Sequence, residues 1–267
     1  MRTYRFTLEY DGTDFEGWQR QPEGHRTVQA ALEEALARVT GAPVAVTGAG
    51  RTDAGVHAAG QAASARLATR LEPDALRRAL NAWLPGDVAV LELVPAPDGF
   101  DARRDARGKL YRYAIWNGPT ASPLRRRRSH HRASPLDVAA MQRAAGALVG
   151  THDFASFQAA GSSVRTTRRS LHRLEVRGRP GQGIDVEVEG DGFLRHMVRN
   201  LVGTLLEVGS GRRSPEDLPR VLAARQRSAA GPTAPPQGLT LVRVDFGFPR
   251  DSGALAGRAL DGAEPLG

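Results

Sequence analysis

The fold is decided by the stretch Thr47-Gly48-Ala49-Gly50-Arg51-Thr52-Asp53-Ala54-Gly55-Val56-His57. An apolar run precedes it and an alternating run follows it, which predicts a glycine-rich turn between two buried strands. Its glycines allow positive φ values or a close approach of the backbone to a ligand. Between them stand one fixed cation, Arg51, and one carboxylate, Asp53. A charged pair on such a turn indicates a functional site.

Spacing separates three common interpretations of a glycine-rich turn. A dinucleotide-binding fingerprint requires glycine three places after Gly50, where Asp53 stands. A Walker loop requires lysine and then serine or threonine after Gly55, where Val56 and His57 stand. Both nucleotide-binding patterns are therefore disfavoured. The third interpretation is an Asx turn, in which the Asp53 carboxylate accepts backbone amide hydrogen bonds, and spacing alone leaves it open.

Outward from this turn, hydrophobic periodicity predicts two halves with the same order of elements. In the first half we expect strands at 3–10, 44–47, 58–66 and 87–94, with helices at 28–39 and 74–82. In the second half we expect strands at 109–116, 171–177, 184–189 and 239–246, with helices at 135–149, 193–208 and 215–225. Thr27 and Ser134 are the predicted N-caps of the first helix of each half.

This order predicts an α+β fold in which two ferredoxin-like halves form one extended mixed or antiparallel sheet. Helices are expected on one face of the sheet and a cleft on the other. The predicted boundaries are 1–105 for the N-terminal half, which carries the turn, and 106–248 for the C-terminal half. Residues 249–267 are rich in Gly, Ala and Pro, and we expect a flexible tail there.

Composition narrows the class of protein. The net charge of +8 and the pI near 10.9 are typical of a protein that binds a polyanion. Lys109 is the only lysine, so the excess of arginine reflects genome base composition and adds nothing to that argument. Cysteine is absent, which excludes disulfides, thiolate catalysis and cysteine-based zinc sites. We expect a cytoplasmic protein, because no apolar run approaches membrane-spanning length and no leader pattern is present.

The loop 11–26 carries two aromatic residues, Phe15 and Trp18. Aromatic side chains on a loop can stack on nucleic-acid bases. In a loop of this length they more often pack into the core and hold the loop down, and we favour that role. The histidines at 130–131 and 152 have no spacing typical of a metal site, so no metal is expected.

The segment 50–57 resembles the signature of the tRNA pseudouridine synthase I (TruA) family. Six further blocks resemble that family in the same order: YDGTDFEGWQRQ (10–21), NAWLPGDV (81–88), KLYRY (109–113), HDFASF (152–157), HMVRN (196–200) and AGPTAP (230–235). The resemblance covers roughly residues 3–248. Several blocks in a fixed order are far more specific than one loop.

This resemblance implies an isomerase that converts uridine to pseudouridine at positions 38, 39 and 40 of the tRNA anticodon stem-loop. The family is homodimeric, and the reaction requires no cofactor or metal. By resemblance, Asp53 is the nucleophile. An ionised carboxylate can attack the sugar or the uracil ring, or stabilise positive charge at the sugar. The sequence leaves these alternatives open.

The resemblance also assigns substrate contacts. Arg51 could pair with Asp53 and could fill the space left by a flipped base, although an exposed cation of little energetic value is the alternative. Tyr111 corresponds to the base-stacking tyrosine of the family, and a core aromatic is the alternative. Leu241 is expected to pack behind Tyr111 as an apolar wall.

Basic residues in several segments are candidates for contacts with tRNA phosphates. They are Arg103, Arg107, Lys109, the run at 125–128, Arg165, Arg168, Arg169, Arg195 and Arg199. The four consecutive arginines are typical of a solvated loop, which can still contact phosphate. Arg195 and Arg199 are expected one helical turn apart, beside His196. We interpret His196 as a helix-surface or core histidine.

Two other functions compete with the isomerase. One is a catalytically inactive tRNA-binding or chaperone protein that keeps the basic cleft. The other is a nucleotide-dependent enzyme, which the spacing of the glycine-rich turn disfavours. Because Arg51, Asp53 and Tyr111 are all present, the sequence favours the isomerase over the inactive protein.

Overall fold

The computed structural model describes residues 1–22, 24–161, 164–179 and 181–247, so the predicted tail at 249–267 lies outside the described residues. Within them, one sheet contains ten strands. The strands are β1 (Arg2–Tyr10), β2 (Thr47–Gly48), β3 (His57–Leu67), β4 (Val88–Pro95), β5 (Gly108–Trp116), β6 (His130–His131), β7 (Gly150–Asp153), β8 (Arg168–Gly178), β9 (Gly183–Gly190) and β10 (Leu239–Asp245). The α-helices are α1 (Val28–Thr40), α2 (Pro73–Trp83), α3 (Val138–Gly146), α4 (Met197–Gly209) and α5 (Leu218–Ala224).

The strand order confirms the predicted fold class. Strands follow the order β4-β1-β3-β10-β5-β9-β8-β7, while β2 pairs with β3 and β6 pairs with β5. The first half therefore runs β4-β1-β3-β2 and the second half runs β10-β5-β9-β8, which is the same ferredoxin-like order twice. The halves join through a short parallel contact, in which Thr240 lies opposite His57 and Leu241 lies opposite Ala58.

Local sequence explains most element boundaries. Along β1, the alternate residues Tyr4, Phe6, Leu8 and Tyr10 are buried against the helices, as the period of two predicts. The predicted N-cap at Thr27 is present, because its side chain accepts a hydrogen bond from the Ala30 N–H. None of the helices among the described residues is long and apolar enough to cross a membrane.

Three predicted elements are corrected. The helix predicted from residue 135 begins at Val138, because Asp137 rather than Ser134 caps it. The helix predicted from residue 193 begins at Met197, because the preceding residue adopts a left-handed conformation. The strand predicted at 44–47 is reduced to the two residues of β2, which pair with β3 before the chain turns away.

Helices from each half pack against the strands of that half. In the first half α2 packs on β4, and in the second half α3 packs on β8. The central strands β3, β10 and β5 lie between β1 and β9 in the sheet. The loop 11–26 packs into the core as predicted, since Phe15 and Trp18 are only 2% and 1% exposed.

Candidate active site

The glycine-rich turn is held by the loop that precedes α1. The Thr52 carbonyl accepts a hydrogen bond from the Trp18 N–H at 3.1 Å, and the Thr52 hydroxyl lies 2.8 Å from the Tyr10 hydroxyl. A Cβ at Gly48 would lie 2.4 Å from the Trp18 indole, so glycine is required there. On the other side of Asp53, the Gly55 N–H donates to the Phe15 carbonyl at 3.2 Å, so the backbone is fixed both before and after Asp53.

The Asp53 carboxylate pairs with an arginine from the other half of the chain. Asp53 Oδ2 lies 3.0 Å from Arg199 Nη1, and the Asp53 side chain is 29% exposed. Arg199 Nε donates to the Ala234 carbonyl at 2.7 Å, which fixes the plane of the guanidinium. Among the described residues, no backbone amide donates to this carboxylate, so the Asx-turn interpretation is wrong. The Asp53 side chain instead pairs with a residue of the second half.

His196 is the second partner of Asp53. Its Nε2 lies 3.5 Å from Asp53 Oδ2, and its φ of 60° places it in the left-handed region at the start of α4. Burial lowers the pKa of His196, and Arg199 lowers it further against the opposing effect of Asp53. The imidazole is therefore neutral near pH 7, and the contact is dipolar rather than ionic.

The expectation of a helix-surface or core histidine at position 196 is therefore wrong. Sequence periodicity placed His196 inside a continuous helix, which hid its left-handed backbone and its direction toward Asp53. The same correction applies to Arg195, which precedes α4 and is not one helical turn from Arg199. Only the position of His196 in the block HMVRN linked it to the site.

Tyr111 forms an aromatic wall beside Asp53. Its side chain is 7% exposed and meets Phe193 edge to face at 5.1 Å between ring centroids. Leu241 lies directly opposite Tyr111 in the β10–β5 pairing and is fully buried. Burial raises the pKa of the Tyr111 hydroxyl, and nearby Tyr10 and Asp53 raise it further, so this hydroxyl stays neutral. Tyr111 is thus both a core residue and a wall of the site.

These side chains border a cavity of about 910 Å³. Asp53 is the single acidic residue among its described lining residues. The cationic residues in that lining come from both halves and are Arg51, Arg103, Lys109, Arg169, Arg195 and Arg199. A ring of cations around one carboxylate favours binding of an anionic substrate.

The cavity lies on the helix-bearing face of the sheet. Tyr111 and Leu239 in its lining share a face with Tyr113 and Leu241, which pack in the same core as the helices. The expected cleft on the opposite face therefore does not describe this cavity. The start of α4 lines the cavity together with Tyr111 and Leu239, so this space lies beside a helix and not on the helix-free face.

Lys109 approaches the turn from the second half. Its Cε would lie 3.1 Å from a Cβ at Gly50, so glycine lets the lysine chain pass close to the backbone. Burial lowers the pKa of Lys109, and the charge of Arg103 lowers it further, while Asp191 opposes both. Two cations close together in a partly buried site favour an anion between them.

The sequence matches the family described as tRNA pseudouridine synthase over residues 7–104 and 144–247. The chain belongs to this family. It is 49% identical over 246 residues to the tRNA pseudouridine synthase A of Myxococcus xanthus, with 92% of each chain covered. It is also 49% identical over 247 residues to the tRNA pseudouridine synthase A of Moorella thermoacetica, covering 92% of this chain and all of the other.

A solved structure of a Cbf5-Nop10-Gar1 complex matches at a TM-score of 0.38 with 13% identity, covering 90% of this chain and 49% of that one. This likeness is too weak to carry an argument. The sequence relatives are sufficient: the chain is a tRNA pseudouridine synthase, and this enzyme class isomerises uridine in tRNA.

Within the synthase, the predicted site residues converge on one cavity, although one predicted contact is absent. Asp53, Tyr111, Arg103, Lys109 and Arg199 all line the cavity, and Leu241 lies beside Tyr111 on the adjacent strand. Arg51 also lines it, but the predicted pairing of Arg51 with Asp53 is absent, and Arg199 and His196 are the described partners of the carboxylate. The Arg51 side chain is exposed, and among the described residues it makes no hydrogen bond or ion pair.

Several other predicted phosphate contacts lie outside the cavity of the synthase. Arg107, Arg165, Arg168 and the run 125–128 are absent from its described lining. Within that run, Arg127 pairs with Asp14 at 3.8 Å and Arg128 pairs with Asp11 at 3.5 Å. Among the described residues, no group of three or more His, Asp or Glu side chains could hold a metal ion.

Proposed function

We propose that this synthase isomerises uridines at positions 38, 39 and 40 of the tRNA anticodon stem-loop, with Asp53 as its catalytic carboxylate. The observation that supports this most strongly is the cross-half pair. Asp53 borders a cavity that is otherwise cationic, and its carboxylate meets Arg199 at 3.0 Å. The fixed guanidinium holds the carboxylate in one position at the cavity, as a nucleophile or a stabiliser of positive charge requires.

The reaction is balanced without any second reactant. The bond between uracil N1 and the ribose C1′ breaks, the base turns, and a bond forms between C1′ and uracil C5. The proton on C5 leaves and N1 gains one. Asp53 acts by attacking the sugar or the ring, or by stabilising positive charge at C1′. The neutral hydroxyl of Tyr111 and the neutral ring of His196 add no charge that competes with the carboxylate.

A uridine in a stem reaches Asp53 only after it leaves the base stack. Arg51 suits the vacated space, because its side chain is exposed at the cavity and has no partner among the described residues. The Tyr111 ring then offers a flat surface for the extruded uracil, and Leu241 supports that ring from the adjacent strand. The location of each side chain supports the role proposed for it.

Recognition of several neighbouring positions requires contacts that do not depend on base identity. Lys109, Arg103 and Arg169 line the cavity without an acidic partner among its described lining, so they can contact backbone phosphates. Recognition through backbone and shape suits a substrate whose target position varies. We also propose a cytoplasmic homodimer, as the family resemblance implies.

The test uses tRNA that carries tritium at uracil C5, because formation of the new carbon bond releases that label. We expect the wild type to release tritium and Asp53→Asn to release none while still binding tRNA. Asp98→Asn is the matched control, since it removes the same charge from an exposed position outside the cavity. Release by Asp53→Asn at the wild-type rate would disprove the role of Asp53.

Two further outcomes address substrate and activity. A tRNA with cytidine at positions 38, 39 and 40 should bind but release no label. Release that continues from that tRNA would show that the target lies elsewhere. Absence of release by the wild type, with binding retained, would favour the inactive tRNA-binding protein instead. Light scattering of the purified chain tests the dimer.

A further inference from the structure

The segment 230–235, here called the strap, lies along α4 and is fixed to it at two points. At one end the Gly231 N–H donates to the Thr204 hydroxyl at 2.9 Å. At the other end the Ala234 N–H donates to the Arg199 carbonyl at 3.0 Å. Between them, a Cβ at Gly203 would lie 1.6 Å from a strap carbonyl, so the two backbones touch. The strap therefore has one fixed position against the helix.

The strap carries the carbonyl that orients Arg199. Arg199 Nε donates to the Ala234 carbonyl at 2.7 Å, and Arg199 Nη1 donates to Asp53 Oδ2 at 3.0 Å. The guanidinium is planar, so a fixed direction at Nε also fixes the direction of Nη1. A shift of the Ala234 carbonyl would therefore move the cation that faces the catalytic carboxylate.

A buried network holds the strap beside that carbonyl. The Thr233 hydroxyl donates to Asn200 Oδ1 at 2.6 Å, and Arg227 Nη2 lies 3.1 Å from the same oxygen and 3.2 Å from the Thr233 hydroxyl. Asn200 is fully buried, and its amide donates to the Phe157 carbonyl at 2.7 Å. Thr233 is the residue next to Ala234, and its side chain thus connects the strap to the core.

We propose that Thr233 is a positioning residue of the isomerase, which acts on Asp53 through the Ala234 carbonyl and Arg199. Its hydroxyl anchors the strap where the Ala234 carbonyl aims the guanidinium at the carboxylate. The proposal rests on the proposed function, because it takes Asp53 as the catalytic group. The block AGPTAP thereby gains a role in the reaction rather than only in the fold.

The experiment compares Thr233→Val with Thr204→Val. Each substitution removes one hydroxyl that joins the strap to α4. Only Thr233 is next to Ala234, whose carbonyl orients Arg199. For Thr233→Val we expect a single-turnover rate about 10- to 100-fold below the wild type with tRNA affinity unchanged, because small misplacements of catalytic groups cost this much. Thr233→Ser should restore the rate, and Thr204→Val should keep it.

The mechanism is tested in a variant that lacks the guanidinium. If Thr233 acts through Arg199, then Thr233→Val should produce no further loss in an Arg199→Ala background, because residues of one network are not additive. Any of three results would overturn the proposal. They are a wild-type rate for Thr233→Val, an equal loss of rate in Thr233→Val and Thr204→Val, and full additivity of Thr233→Val with Arg199→Ala.

Two controls keep the outcomes distinct. Thr233 is half-buried, so Thr233→Val could fail to fold. In that case Arg227→Gln takes its place in the comparison with Thr204→Val, because it removes the second hydrogen bond to Asn200 Oδ1. If Asp53→Asn keeps full turnover, the proposed function fails. If Asp53→Asn is inactive while Thr233→Val is normal, only the positioning role fails.

Discussion

Arg199 and Asp53 are 146 residues apart in the sequence, yet their side chains meet at 3.0 Å where the two halves join. Each comes from a different ferredoxin-like half, and neither half contains the pair alone. The carbonyl of Ala234 fixes the arginine, and the anchored glycine-rich turn fixes the carboxylate. Assembly of the site therefore depends on the relative position of the halves.

We expect Arg199→Lys to lower the single-turnover rate about 100-fold, a typical loss for one fixed electrostatic contact. A single ammonium cannot donate to both the Ala234 carbonyl and Asp53 in the way the guanidinium does. Binding of tRNA should change little. Arg212→Lys, an exposed arginine beyond the other end of α4, is the control and should keep the rate. An unaffected Arg199→Lys enzyme would contradict the pairing.

For Tyr111→Ala we expect turnover to fall more than tRNA affinity, because the ring is a wall of the cavity. The free energy of unfolding should also fall by about 3 kcal/mol, since a buried aromatic is lost. Tyr111→Phe keeps the ring and should retain most turnover. Single-turnover rates and urea unfolding measure both effects, and equal losses of rate and affinity would indicate a general RNA contact.

We expect Gly48→Ala to lower the free energy of unfolding by about 1–3 kcal/mol, the usual cost of overpacking. Its new methyl group would overlap the Trp18 indole, which supports the turn that carries Asp53. Gly86→Ala is the matched control, because nothing lies within 4 Å of a Cβ there. Urea denaturation compares the two, and equal stabilities would show that the indole moves aside freely.

The salt dependence of tRNA binding tests Lys109. Phosphate contacts release counterions, so log Kd should rise steeply with log salt concentration. Lys109→Gln should reduce that slope by about 1, while Lys109→Arg should keep it. Filter binding over a range of salt concentrations measures the slope, and an unchanged slope in Lys109→Gln would show that this cation contacts no phosphate.

Stability should depend on pH through His130. Burial lowers the pKa of His130 to about 4, with smaller effects from Arg132 and His131. Between about pH 6.5 and about pH 4 the unfolded chain binds a proton that the folded chain does not, so the free energy of unfolding falls as pH falls.

His130→Gln should make that fall shallower, whereas His172→Gln, at an exposed position on β8, should leave it unchanged. Urea unfolding at several pH values provides the measurement, and an equal fall in both variants would contradict the assignment.

The sequence predicted the fold well where the signal is local. Alternation along β1 and the cap at Thr27 are short-range patterns, and both are present. The start of α4 was predicted too early, because apolar periodicity does not reveal a left-handed residue such as His196. Similarly, Asp137 and Ser134 are both good caps by composition, and only packing selects between them.

The candidate site was predicted less completely, because its key contact spans the halves. Resemblance placed Asp53 and Tyr111 in one site, but spacing favoured Arg51 as the partner of Asp53. The actual partner is set by the parallel contact between β3 and β10, which no local pattern encodes. The domain boundary near residue 105 stays a prediction.

The position of β10 has a consequence for synthesis on the ribosome. This strand is the last of the described elements, yet it lies in the middle of the sheet between β3 and β5. The nascent chain therefore cannot join its two halves until β10 has been synthesised, and these long-range pairings slow folding. A truncated chain that lacks β10 would have no complete active centre, so incomplete translation products would not modify RNA.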